Sequence, residues 1–277
     1  MDIENSRRRL NEILPELNEE QRSYMDEAIP LIEEGEEKGI PLRLLGSTAI
    51  LLNCPHHVSL YQEMDRRLTD IDVVAYLKQD KQLDKMLSGL GYVVKGGRGV
   101  TMEVFLSRMI YVNEETDRRS VDVFFDKLDF CHPIDFKDRL EISDFYTIPL
   151  SDLLLEKLQI VEINEKDLKD MLLLLLEHEF TEDESSGIGI KRLTSTLSGD
   201  WGFFYTASQN LMKLEQYSLA MDWLTADQKA RITAQANALR TLLEHAPKST
   251  KWRIRARIGT RKRWYREVGE GYRDIPT

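Results

Sequence analysis

Apolar residues recur at helical spacing through residues 5–38. They fall at Leu10, Ile13, Leu14 and Leu17, and then at Met25, Ile29, Leu31 and Ile32. That period predicts amphipathic helix. Pro15 and Pro30 predict that it is not one unbroken helix, because proline lacks the N–H and crowds the preceding turn. Gly39 predicts its end. Residues 41–45 are a short apolar run, expected as a buried strand and closed by Gly46-Ser47. A short helix is expected over 48–53, with Ser47 as its cap. A polar loop is expected through His56, His57 and Arg67. The run IDVVAYL at 71–77 predicts a strand, 80–90 an amphipathic helix stopped by Gly91, 92–95 a strand, and GGRG at 96–99 a hairpin turn. Two more strands are expected at 103–112 and in SVDVFF at 120–125.

The pattern changes near Pro149. From there the spacing is helical over 150–163, 166–178 and most of 201–246, interrupted by the acidic stretch TEDESSGIG at 181–189, expected as an exposed loop. Alternating helix and strand followed by helix alone predicts an α/β (α+β) chain. An α/β domain with N-terminal helices is expected over 1–148, and a helical domain with a basic C-terminal segment over 149–277.

The bulk numbers narrow the class. A chain of 277 residues, 42% hydrophobic and 31% charged, can bury a core and is not expected to be disordered. Two cysteines, Cys54 and Cys131, predict no disulfide framework and fit a reducing, cytoplasmic setting. The longest apolar run, 171–176, is far shorter than the roughly 20 residues of a membrane span, and the N-terminus carries no apolar signal region, so neither membrane insertion nor export is expected. The net charge of −10 is uneven. Residues 248–266 carry nine cations and no acid, and 267–277 carry a net −2, which leaves −17 on residues 1–247. Such a body repels phosphate unless a cation intervenes.

Three features of the first half fit one chemistry. Gly46-Ser47 lies between a strand and a helix, where backbone can approach a phosphate closely at a positive helix end. TDIDVV places Asp70 and Asp72 at i and i+2 of a strand start, on one face, where both carboxylates can reach one hard cation. Asp122 stands between apolar residues in SVDVFF, and a carboxylate there needs a partner such as a metal, unless the strand is an edge facing water.

The order LLGSTAILL, RRLTDIDVV, SVDVFF resembles the nucleotidyltransferase superfamily, the fold related to polymerase beta. The long interval from Gly46 to Asp70 is more similar to the abortive-infection and toxin-type members. Lys157 in LLLEKLQI, and Lys166-Asp167 with Asp170 in NEKDLKDM, match that group's later blocks. The resemblance covers about residues 40–178. Ser47 replaces a second glycine, and Lys166 stands where arginine is usual. The resemblance implies a mixed sheet flanked by helices, a nucleoside triphosphate held at Gly46, Ser47 and Thr48, and Mg²⁺ in a two-ion site on Asp70, Asp72 and Asp122. It implies transfer of a nucleoside monophosphate to an acceptor hydroxyl with release of pyrophosphate. Lys157 would neutralise phosphate, or lie on a solvated helix face; Asp167 and Asp170 would make ion pairs or take part in catalysis.

Other patterns point elsewhere. Cys54, His56, His57, Cys131 and His132 lack zinc-site spacing. In the basic segment, Trp252, Trp264 and Tyr265 interleave with the cations, which suits an RNA acceptor such as tRNA; the alternative is that the segment folds back on its own acidic body. Two further function classes remain open: a nucleotide-binding module without turnover, as one half of a two-gene regulatory, toxin–antitoxin-like pair, and an RNA-binding protein. Acceptor, base preference and oligomeric state are not legible.

Overall fold

A computed structural model describes residues 1–95 and 108–268. The expected GGRG turn and the first part of the expected 103–112 strand lie outside the described residues. The chain divides into two compact units. The first comprises residues 1–58, 67–128 and 135–149, and the second 59–66, 129–134 and 150–277.

The first unit is mixed α/β. It opens with α1 (Ile3–Ile13) and α2 (Glu19–Glu37). The break between them is at Pro15, where the chain tightens into a 3-10 turn. Pro30 behaves differently and lies inside α2. A helix can lose one backbone bond there when its face is held, and Met25, Ala28, Ile29, Leu31 and Ile32 are all buried. Strand β1 (Arg43–Leu44) leads directly into α3 (Gly46–Asn53). Along the chain then follow α4 (Val58–Glu63), which from Ser59 on belongs to the second unit, and, in the first, β2 (Ile71–Ala75), α5 (Asp80–Gly89), β3 (Val93–Val94), β4 (Arg108–Val112) and β5 (Val121–Phe125). The polar loop expected through His56 is therefore largely helical. Val58, Tyr61 and Met64, three residues apart, are buried in α4 and just after it.

The sheet runs β1-β2-β5-β4-β3. Strands β2 and β5 are parallel and in register, Ile71 beside Val121 through Ala75 beside Phe125. The neighbours β1, β4 and β3 are antiparallel, so the sheet is mixed and β5 is internal. Its Val121, Val123 and Phe125 are buried on one face, as are Ile71, Val73 and Ala75 of β2.

The second unit is mainly helical: α6 (Leu150–Leu158), α7 (Glu165–Glu177), α8 (Ile190–Gly199), α9 (Trp201–Ala220), α10 (Ala226–His245) and α11 (Thr250–Ile258). Every residue of the apolar run 171–176 is buried, which makes α7 the helix around which this core forms. The acidic 181–189 stretch is not all loop: short strands Phe180–Thr181 and Ile188–Gly189 pair at its ends. Among the described residues, no helix is long and apolar enough to cross a membrane.

Candidate functional site

The turn from β1 into α3 brings Gly46 against the Asp-x-Asp pair. Helix α3 starts at Gly46 itself, with Leu45 in the cap position and no side chain capping it. Ser47, expected as the cap, is instead buried in the first turn. The early start depends on glycine. Gly46 has φ +71°, and an added Cβ would lie 2.6 Å from Oδ2 of Asp72. Both the backbone conformation and the approach of the carboxylate therefore exclude a side chain.

Hydrogen bonds fix the turn between the two acids. The Leu45 N–H donates to the carbonyl of Asp72 at 3.1 Å. The Thr48 hydroxyl donates to the carbonyl of Asp70 at 3.2 Å. Thr69 donates from its hydroxyl to the Asp70 carboxylate at 2.9 Å. Asp70 and Asp72 are half-buried, as suits groups that meet a ligand.

Asp122 joins them through strand pairing. It is the register partner of Asp72 on the parallel β2–β5 pair, and cross-strand partners put their side chains on the same face. It is not an edge residue facing water: it is 8% exposed on an internal strand. Its partner, which no sequence motif marks, is Arg108 on β4. The guanidinium forks onto the carboxylate, with Nε at 2.9 and 2.8 Å from the two oxygens and Nη2 closing the pair. Burial pushes the Asp122 carboxyl above the ordinary range; Arg108 opposes that push and the charge of Asp70 adds to it.

Among the described residues, no three His, Cys, Asp or Glu side chains stand as a metal-chelating cluster. The donor set nevertheless suits a hard cation. It consists of carboxylate oxygens, and Arg108 shows that the most buried of them already requires a positive partner.

Lys157 belongs to the second unit, within a dense charged cluster. Its ammonium lies 2.8 Å from Glu156, 3.6 Å from Asp167 and 3.3 Å from Asp170. Arg66 makes a two-pronged pair with the fully buried Asp170, 2.9 Å on each side. Burial works against the Lys157 charge, but Glu156, Asp170 and Asp167 outweigh it and raise the pKa above the ordinary lysine value. Burial likewise raises Asp167, opposed by Lys157. The solvated-face reading of Lys157 is corrected: the residue is 6% exposed. Its expected role as a counter-ion to phosphate meets three carboxylates that already match its charge. Asp167 and Asp170 do form ion pairs, with Lys157 and Arg66 and not with the neighbouring Lys166.

The basic segment packs on its own unit. Trp264 donates from Nε1 to the Thr206 hydroxyl at 3.0 Å and meets Tyr205 edge-on, and Trp252 meets Phe204 edge-on. Arg266 pairs with Asp129. The aromatic rings expected to stack on bases are thus packed against protein rings, while Arg253 and Arg257 are exposed.

No family model matches the chain, and no curated protein matches it. The solved solution structure of the antibiotic-resistance factor ANT(2'')-Ia is similar to it with a TM-score of 0.36 and 10% identity, over 55% of this chain and 83% of that one. A likeness at that level carries no residue-by-residue correspondence.

Proposed function

We propose that the chain is a metal-dependent nucleotidyltransferase acting on a nucleoside triphosphate and an acceptor hydroxyl. The observation that carries this reading is the meeting of three elements. Asp72 and Asp122 are register partners on parallel strands, and the Gly46 turn, open to close approach only because it has no side chain, packs on Asp72. In the proposed reaction the turn receives the triphosphate. Ser47 and Thr48, in the first turn of α3, present the positive helix end to the phosphates. Mg²⁺ held by Asp70 and Asp72, with Asp122 serving a second ion, would neutralise the triphosphate and stabilise charge on the entering and leaving oxygens. The acceptor oxygen bonds to the α-phosphorus, the bond to the bridging oxygen breaks, and pyrophosphate leaves. Asp122 would also be the group placed to help deprotonate the acceptor hydroxyl.

The hold of Arg108 on Asp122 favours a second reading, a module that holds nucleotide without turnover, because an acid kept by an arginine is not available as a base. Calorimetry with a non-hydrolysable NTP tests the shared part of both readings. Binding is expected with Mg²⁺ and lost in chelator. Equal affinity in the two conditions would contradict a metal-mediated site.

A further inference from the structure

The second unit contains a cavity of about 550 Å³, within the roughly 300–1,000 Å³ typical of small-molecule sites. One wall is the face of α11 that carries Lys251, Ile254, Arg255 and Ile258, at the i, i+3, i+4, i+7 spacing of one helical side. Facing it are Trp201 at the start of α9 and Trp264 from the C-terminal segment.

The walls are fixed. Gly202 has no room for a Cβ, which would lie 2.3 Å from the carbonyl oxygen of Trp264. Thr206 ties that segment to the bend at His132: its hydroxyl accepts from Trp264 Nε1 and sits 2.9 Å from His132 Nε2. The Arg266 N–H donates to the carbonyl of Cys131 at 3.0 Å. A preformed cavity spares a ligand the cost of ordering it.

Its chemistry has two parts. Ile254 and Ile258, 55% and 38% exposed, line it together with Trp201 and Trp264. Four cations line the cavity: Lys251, Arg255, Arg263 and Arg266. Arg263 and Arg266 are matched by Glu267 and Asp129. Lys251 and Arg255 have no acid within ion-pairing distance among the described residues. Arg255 donates to the carbonyls of Gly259, Lys262 and Arg263, which are neutral acceptors and leave its charge uncompensated, and its guanidinium lies 4.7 Å from the Trp201 ring centroid. The one lining acid, Asp200, accepts from the Phe203 N–H as the cap of α9.

We propose that this cavity binds a soluble amphipathic organic anion, its apolar body against Ile254, Ile258 and the indole edges and its anionic head between Lys251 and Arg255. All its lining residues belong to the second unit, and none of them is among the residues proposed to hold the NTP.

The test is calorimetry on the full chain in chelator, so that metal-dependent NTP binding contributes nothing. 1-Naphthyl phosphate is the probe, with inorganic phosphate and 1-naphthol as its separated parts. Saturable 1:1 binding of the intact probe is expected, at least tenfold tighter than either part. Lys251→Gln and Ile254→Glu, both at exposed positions on α11, should each weaken it at least tenfold. Arg257→Gln, on the same helix but outside the cavity, should leave it unchanged. Absence of binding, equal binding of phosphate alone, or an equal loss in Arg257→Gln would each overturn the proposal. So would capture of the protein by phosphatidylserine vesicles without binding of the soluble probe, which would make α11 a lipid-surface element.

Discussion

An alanine at position 46 would have to hold a φ of +71° and set its methyl group 2.6 Å from the Asp72 carboxylate. The backbone strain alone costs about 1–2 kcal/mol, and the carboxylate would be displaced from the turn. Gly46→Ala is therefore expected to lower stability by about that amount in urea denaturation and to reduce Mg-dependent NTP binding at least tenfold. Unchanged NTP binding would mean that the Gly46–Asp72 contact does not shape the site. A second residue-scale expectation concerns His132. Burial lowers its pKa from 6.5 to about 4, and it stacks on Phe203 with centroids 4.9 Å apart. The folded state thus favours the neutral ring. Its contribution is complete above pH 6.5 and is lost as pH falls toward 4, about 2–3 kcal/mol by pH 4.5. His132→Phe keeps the stacking and removes the titration, so between pH 7 and 4.5 it should lose less stability than the wild type by that amount. Parallel losses would place the imidazole outside the core. At this scale Asp70, Asp72 and Gly46 were legible because each carries a local signature. Arg108 was not: nothing in its spacing to Asp122 marks it, and only the β4–β5 register brings the two together.

Elements were legible where apolar periodicity and boundary residues agreed. Strands β2 and β5 are entered from the polar residues Asp70 and Ser120 and are rich in β-branched and aromatic ones, and both were expected within two residues of their bounds. The departures have specific causes. Helix α4 was obscured by the histidines and Pro55 before it, although Val58, Tyr61 and Met64 carry its three-residue spacing. Proline at position 30 was overruled by burial of the α2 face. The helices α6 and α7 pose the sharpest energetic question at this scale, because they gather the buried Glu156 and Asp170 and the half-buried Asp167 around one lysine. Removing that lysine with Lys157→Met leaves buried acids opposed mainly by Arg66. A loss of about 3–5 kcal/mol is expected in urea denaturation, partly restored by adding Asp167→Asn. A variant of full stability that binds NTP more weakly would instead return Lys157 to the phosphate.

For the whole molecule, the electrostatics set the problem the candidate site must solve. Residues 1–247 carry a net −17, since the total of −10 includes nine cations in 248–266 and a net −2 beyond them. A triphosphate approaching Asp70, Asp72 and Asp122 meets repulsion that a divalent cation would remove. The basic segment packs through Trp252 and Trp264 on its own unit. Composition shows one change of character, near residue 148, whereas the compact units also exchange residues 59–66 and 129–134. Contacts define those pieces, and no compositional shift marks them. The central claim is transfer of a nucleoside monophosphate at the three acids. It is tested most directly by incubating the chain with each of the four NTPs, labelled at the α-phosphate, together with Mg²⁺ and a cell extract. The account predicts that label moves to an acceptor with release of pyrophosphate. Transfer should stop in chelator and fall by orders of magnitude in Asp70→Asn and Asp72→Asn, both of which should still unfold cooperatively. No transfer from any NTP, or transfer undiminished in Asp72→Asn, would contradict it.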